Sequence, residues 1–263
     1  MKKIFVFLLS SILLMSCSED ISTEIQTDLL QEADQFFTLS ETVNESSYLG
    51  NFTFGDYFRM TSASLPGCPS IALNSQTLEI ILDYTKTDSC NQKNTSTRTG
   101  KIILGFSQAN SNTPSWTMKY EGYSFKKTKI EGTRFFKRLS ISQNSETFEN
   151  LKITTEKGLG FSIKGNYTYF ISRFNFRPFG ISYVGEHEGR NPAGREFVQS
   201  ITEAKEVFIG CYSEGFTLPQ NGKENWRVSR GSSDLNYSLS YLSTQECVIQ
   251  VKAVLPDGRT LDF

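Results

Sequence analysis

The strongest constraint on the fold is a two-residue alternation of apolar and polar side chains, repeated in short runs along most of the chain. Apolar residues alternate with Glu79 and Asp83 between Leu78 and Tyr84, and the run from Trp116 to Glu121 repeats the pattern. Successive side chains of a strand point to opposite faces, so each run predicts a β-strand with one buried face. Further strands are predicted around Ile102–Phe106 and near residues 133–141, 148–155, 160–172, 179–188, 195–202, 205–211, 235–242 and 246–254.

Polar turns punctuate these runs. Examples are Asn191-Pro192-Ala193-Gly194, Asn221-Gly222 and Asp257-Gly258. Aromatic residues make up 13% of the chain, which favours sheet because aromatic side chains pack well on a pleated surface. We therefore predict an all-β domain over residues 67–263, built as an antiparallel meander, a sandwich or a half-open barrel.

One short helix is predicted from Thr23 to Phe37. Thr23 and Gln26 have the spacing of a capping box, and apolar residues follow at helical intervals. These apolar residues are Ile25, Leu29, Ala33 and Phe36. We interpret residues 17–66 as a tether that carries this helix and either docks it on the sheet or spaces the sheet from a membrane.

The first 16 residues have the features of an export signal. Lys2 and Lys3 precede an apolar run that is too short to span a bilayer as a mature helix. The following Leu14-Met15-Ser16-Cys17 resembles the lipobox at which signal peptidase II cleaves before a lipidated cysteine. Cys17 is therefore the predicted site of acylation and of attachment to the outer membrane. The acidic residues after it fit either a surface-export signal or a solvated tether, so the side of the membrane stays open.

Four cysteines remain after Cys17, an even number that suits an oxidising compartment. Three pairings are possible. We favour Cys68 with Cys90 and Cys211 with Cys247, because each pair closes a local strand–turn–strand segment. No pair has CxxC spacing, so neither a metal nor a redox cofactor is predicted. The net charge of −1 provides no basic field for nucleic acid.

The middle of the chain resembles a group of uncharacterised Bacteroidetes lipoproteins. In that group a CP…DYG…C segment leads into an R-x-G-K-I-I strand and later an E-G-T-R strand. The corresponding residues here are Cys68-Pro69, Asp83-Tyr84, Cys90, Thr99 to Ile103 and Glu131 to Arg134. Thr85 departs from the pattern, since the group usually has glycine there. The resemblance implies an exported all-β protein and no particular activity.

The only histidine, His187, lies between Glu186 and Glu188. It could be a metal ligand or a general base. Strand alternation instead separates it from both carboxylates and places it on the face of Ile181 and Tyr183, which favours a core position.

Two features suggest contact with glycans. The stretch from Lys126 to Arg138 is rich in basic residues, among them Lys127 and Lys129, and could bind an anionic glycan or lipopolysaccharide. Alternatively, the stretch is a solvated strand whose lysines discourage edge-to-edge aggregation. Tyr167 and Tyr169 could stack on sugar rings. Alternation places Phe170, Phe174 and Phe176 on the other face, and we expect those phenylalanines in the core and the tyrosines in cross-strand pairs.

No catalytic residue is predicted. The expected function is that of a lipid-anchored, non-enzymatic outer-membrane lipoprotein, a binding or structural module of the envelope or cell surface. One alternative is a periplasm-facing carrier of lipids or lipoproteins, which needs a continuous apolar cavity. Another is a polysaccharide-acting enzyme, which needs a cleft with two carboxylates about 5–10 Å apart.

Overall fold

A computed structural model of the chain describes residues 28–86, 90–94, 96–107 and 114–263. In this part of the chain the strands form one antiparallel sheet of 14 strands. Their bounds are β1 (Ser70–Asn74), β2 (Glu79–Asp83), β3 (Arg98–Phe106), β4 (Ser115–Phe125), β5 (Thr128–Glu131), β6 (Thr133–Ser140), β7 (Gln143–Thr154), β8 (Gly160–Phe174), β9 (Arg177–Arg190), β10 (Glu196–Phe208), β11 (Asn221–Arg230), β12 (Ser233–Gln245), β13 (Val248–Val254) and β14 (Thr260–Asp262).

The sheet is a meander in which nearly every strand pairs with its neighbours in sequence. The exception is the pair β5 and β6, which lie end to end across Gly132 and both pair with β4 and β7. Among the described residues the edge strands β1 and β14 do not pair with each other, so hydrogen bonds do not close the sheet. The predicted all-β class is confirmed.

The helical segments are short, apart from the first. They are α1 (Leu29–Ser47), α2 (Phe54–Tyr57) and α3 (Ile209–Ser213), with 3₁₀ turns at Leu49–Asn51 and Ser62–Ser64. None of these described helices is long and apolar enough to cross a membrane.

Helix α1 is enclosed by the sheet. Every residue from Leu39 to Phe52 is buried, although this stretch is largely polar. Ser40, Val43 and Glu45 are hydrogen-bonded to residues of β3, β4, β6, β10, β11 and β12. Partners on so many strands require the sheet to curl around the helix, with the helix filling its inner face.

The prediction for the N-terminal region needs two corrections. The helix begins at Leu29, capped by the Asp28 side chain, and continues ten residues beyond the predicted end at Phe37. The apolar spacing stops there because polar side chains occupy the buried positions that follow. Residues 29–65 also contribute to the core, as the docking alternative expected, and are not an external spacer, since Phe36, Leu39 and Leu65 are fully buried. Residues 17–27, including Cys17 and Thr23, lie outside the described part.

Both favoured disulfides are present. Cys68 is bonded to Cys90, and Cys211 in α3 is bonded to Cys247 in the turn between β12 and β13. The sequence separations are 22 and 36 residues. In the loop-entropy description, closing loops of this size stabilises the fold by about 3–4 kcal/mol each.

The burial of residues 39–52 predicts that an alanine at Gly50 destabilises the fold more than an alanine at Gly55. A methyl group on Gly50 would overlap the ring of Phe136, which is buried and stacked on Trp116 and so cannot move aside. We expect Gly50→Ala to lower the free energy of unfolding by about 1–3 kcal/mol through overpacking. The nearest atom to a methyl group on Gly55 is 3.9 Å away, so Gly55→Ala is the matched control. Equal urea midpoints for the two variants would contradict the enclosed position of Gly50.

Candidate functional site

The inner face of the sheet holds four fully buried carboxylates, and each lies beside a cation. Two of them come from α1 and two from strands. An unpaired buried charge is strongly unfavourable, so the pairing is required for this core to exist. The pairs are Glu32 with Arg230 (2.9 Å), Glu45 with Arg98 (3.3 Å), Glu146 with Arg134, and Glu224 with Lys205 (2.6 Å). We call this set, with its hydrogen-bonding partners, the polar interior.

Glu224 accepts hydrogen bonds from four residues of the polar interior. Its Oε2 atom accepts hydrogen bonds from Lys205 Nζ and Gln199 Nε2, both at 2.6 Å, and from Ser40 Oγ at 3.1 Å. Tyr241 donates to Oε1 at 3.1 Å. Burial alone would raise the pKa of Glu224, but Lys205 and these donors outweigh it and hold the pKa below its usual range. The carboxylate is therefore ionised and joins α1 to β10, β11 and β12.

Arg134 plays the same part about one turn further along α1. Its buried guanidinium pairs with Glu146 and donates to the carbonyl oxygen of Val43 at 2.9 Å. It also donates to Ser46 Oγ at 3.3 Å and to the hydroxyl of Tyr120 at 3.1 Å. One planar group with several N–H donors thus satisfies helix and strand atoms together. The last turns of α1 are fixed against β4, β6 and β7.

His187 lies in the same interior. Its Nδ1 atom is 2.6 Å from the hydroxyl of Tyr167, and its ring packs edge-on to Trp226 and Phe197. Burial lowers the pKa of His187 to about 3, so the imidazole is neutral at physiological pH. No cluster of three or more potential metal-ligating side chains occurs among the described residues. These contacts agree with the core interpretation of His187.

The predicted glycan contacts of two tyrosines are wrong. Tyr167 and Tyr169 are 2% and 0% exposed, so neither can stack on a sugar from outside. Alternation separated them correctly from Phe170 and Phe174, but the inner and outer faces were exchanged: the phenylalanines are 45% and 70% exposed. The tyrosines face inward because the polar interior offers their hydroxyls partners, as Glu146 does for Tyr169 at 2.7 Å.

Lys127 and Lys129 are exposed at the start of β5, away from both tyrosines, and each has an acidic partner. Lys127 pairs with Glu156 at 2.6 Å and Lys129 with Glu131 at 2.9 Å. Arg134, from the same basic stretch, points into the polar interior. The stretch from Lys126 to Arg138 is therefore divided between the two faces and does not form one basic patch.

The outer face carries a feature that the sequence did not reveal. Two adjoining depressions of about 510 and 410 Å³ lie over β7 to β11 and share Glu149, Lys164 and Glu188. We call them together the outer depression. Its other polar lining residues include Asn166, Glu186, Arg190, Glu196 and Arg227. Alternation had placed Glu186 and Glu188 on one face, but it could not show which side chains of neighbouring strands would face them.

Close packing of β8 on β9 forms the floor of the outer depression. Gly165 lies opposite His187, and a Cβ atom on Gly165 would come within 2.6 Å of the Cβ of His187. Two exposed ion pairs stand on the lining, Lys164 with Glu188 at 2.8 Å and Arg190 with Glu196 at 2.9 Å. These side chains are in solvent and can exchange their partners for a ligand, unlike those of the polar interior.

No known protein family, curated protein or solved structure matches the chain. The assignment of a site therefore depends on geometry alone. In the polar interior each carboxylate is paired with a cation and buried between α1 and the sheet. The outer depression is accessible and rich in hydrogen-bonding groups, which makes it the candidate ligand site.

The difference between the two environments can be measured with matched lysine substitutions. Lys205→Met leaves Glu224 as a buried unpaired charge, and we expect the free energy of unfolding to fall by about 3–5 kcal/mol. Lys164→Met breaks an exposed pair of 2.8 Å and should leave the urea midpoint unchanged. The double variant Lys205→Met/Glu224→Gln should recover part of the loss, because it removes the unpaired charge. Equal midpoints for the two single variants would show that the Lys205 pair is not buried.

Proposed function

We propose that this protein is a lipid-anchored lipoprotein of the outer membrane that binds a polar ligand and has no catalytic activity. Cys17 is the acylated residue in this proposal, and the lipobox-like sequence before it is the support for that assignment. Two disulfides in the described part support export, because such bonds persist in oxidising compartments. The resemblance to uncharacterised Bacteroidetes lipoproteins agrees with this location.

The filling of the inner face by α1 is the observation that carries the proposal. A carrier of lipids needs an apolar cavity on the concave side of its sheet. Here that side is occupied by a helix whose buried stretch includes Ser40, Asn44 and Glu45. The outer depression is polar and open to solvent. These features favour a binding module with its ligand on the outside over a carrier.

The carboxylates also fit binding better than polysaccharide cleavage. Glycosidases pair an acid whose pKa is raised by burial with a second carboxylate in one cleft. The buried Glu146 and Glu224 are held by cations and covered by α1. Glu186 and Glu188 line the outer depression, but both side chains are exposed and lack the burial that such an acid requires.

A glycan is the ligand class that we propose for the outer depression. Its lining offers donors such as Lys164 and Arg190 next to acceptors such as Glu186 and Glu188. Sugar hydroxyls both donate and accept, so they can use each kind of group. The amide of Asn166 can supply both roles at one position.

The anchor can be tested by metabolic labelling with a fatty-acid analogue. We expect the wild-type protein to incorporate the label and to sediment with the outer membrane, whereas Cys17→Ser should do neither. Ser18→Ala is the matched control and should behave as wild type. Labelling of the Cys17→Ser protein, or an unlabelled wild-type protein, would overturn this part of the proposal.

The ligand site can be tested on an array of envelope and host glycans, with the chain from Ser18 onward as probe. We expect Glu188→Gln to weaken binding of a glycan hit by about tenfold or more, since a hydrogen bond to a charged group is worth about 1.5–3 kcal/mol. Lys127→Met, an exposed substitution away from the outer depression, should bind as wild type. Absence of any glycan hit, or equal binding by all three proteins, would rule out the outer depression as a glycan site.

A further inference from the structure

One end of the sheet carries large apolar side chains that project into solvent from turns. Ile141, in the turn between β6 and β7, is 91% exposed, and Phe176, in the turn between β8 and β9, is 83% exposed. Phe174 beside it is 70% exposed, and Phe58 after α2 is 69% exposed. We call these four residues the apolar tip. Burial of such side chains is favourable, so four at one end of a molecule mark an interaction surface.

Contacts between the segments hold the apolar tip together. The amide of Ile171 in β8 donates to the carbonyl oxygen of Ser142, next to Ile141, at 2.8 Å. Arg173 donates to the carbonyl oxygen of Phe176 at 3.0 Å and to both carboxylate oxygens of Asp56, at 3.0 and 2.8 Å. Asp56 precedes Phe58 by two residues. The two turns and the end of α2 are thus joined at one place.

The three segments that carry the apolar tip have a charge opposite to that of the whole chain. Residues 56–60, 135–145 and 170–179 contain five basic residues and one acidic residue, a net charge of 5 − 1 = +4, whereas the chain carries −1. The acidic residue, Asp56, is buried and bound to Arg59 and Arg173. The basic residues are Arg59, Lys137, Arg138, Arg173 and Arg177.

We propose that the apolar tip docks on the surface of an anionic phospholipid bilayer. Phenylalanine and isoleucine at the ends of turns can enter the boundary between headgroups and acyl chains, where aromatic side chains are favoured. Arg138 and Arg177 match the phosphates, because a guanidinium group can donate two hydrogen bonds to one phosphate. Projecting apolar side chains with cations beside them suit a lipid surface better than they suit a flat protein interface.

The position of the apolar tip gives this docking a direction. β9 runs 14 residues from Arg177 at the tip to Arg190, which is roughly 45 Å at about 3.3 Å per residue. Asn191 then donates to Glu32, near the start of α1. The tip is therefore at the opposite end of the sheet from the start of α1, so docking leaves that end of the sheet facing away from the bilayer.

Co-sedimentation with vesicles tests the docking without the anchor. The chain from Ser18 onward retains the whole described core and lacks Cys17. We expect it to bind vesicles of equal parts phosphatidylcholine and phosphatidylglycerol about tenfold or more tightly than vesicles of phosphatidylcholine alone, with affinity falling as salt rises. Ile141→Ser/Phe176→Asn should reduce binding about tenfold or more; asparagine tolerates the positive φ of 63° at Phe176. Leu242→Ser, 61% exposed on β12, is the control and should bind as wild type.

Three results would overturn the proposal. Wild-type protein could fail to bind the mixed vesicles, or the double variant could bind them as tightly as wild type. In the third, the wild type is a dimer in sedimentation equilibrium and the double variant is a monomer, which would assign the apolar tip to contact between copies. None of these results depends on the glycan array or on acylation of Cys17, so failure here is distinguishable from failure of the proposed function.

Discussion

The rest of the structure depends on the burial of charged groups between α1 and the sheet. The four buried glutamates, two of α1 and two of the sheet, lie in a region without solvent, so strands must supply cations at matching positions. This explains why Arg98, Arg134 and Lys205 point inward, at positions where a sheet normally has apolar residues. The hydrogen bonds of these groups to several strands also require the sheet to wrap around the helix. The curvature of the sheet and the ion pairs of its interior therefore depend on each other.

Tyrosine makes this interior possible. A buried tyrosine covers a large apolar area and still presents one hydroxyl, so it can line a core that contains charges. Tyr123 donates to Glu45 at 2.7 Å, and Tyr48 and Tyr183 meet through their hydroxyls at 3.2 Å. Burial raises the pKa of Tyr123 and Tyr183 well above the usual range, so both remain protonated hydrogen-bond donors. The aromatic residues that predicted a sheet thus also supply hydrogen bonds to the charged groups inside it.

Local patterns predicted much of the sheet, because alternation and turns depend on near neighbours. Ile80 and Leu82 face inward as expected, and both disulfides join the predicted cysteines. The rule that apolar residues face inward could not predict which face of β8 is buried. Its inner face carries Tyr167 and Tyr169, whose hydroxyls find partners in the polar interior. The second half of α1 was missed for the same reason. The outer depression combines side chains of five strands, and no local pattern records which strands will be adjacent.

The long reach of the α1 contacts has a consequence for how the molecule forms. Ser40 meets Tyr241, which lies 201 positions later in the chain. A largely polar helix gains most of its stability from tertiary packing, so α1 is a poor early nucleus on which strands could collect. Contacts this distant in sequence make folding slow, because the chain must close large loops before it gains from them. We therefore expect the core to assemble late, after β12 has reached the helix that precedes it in the chain.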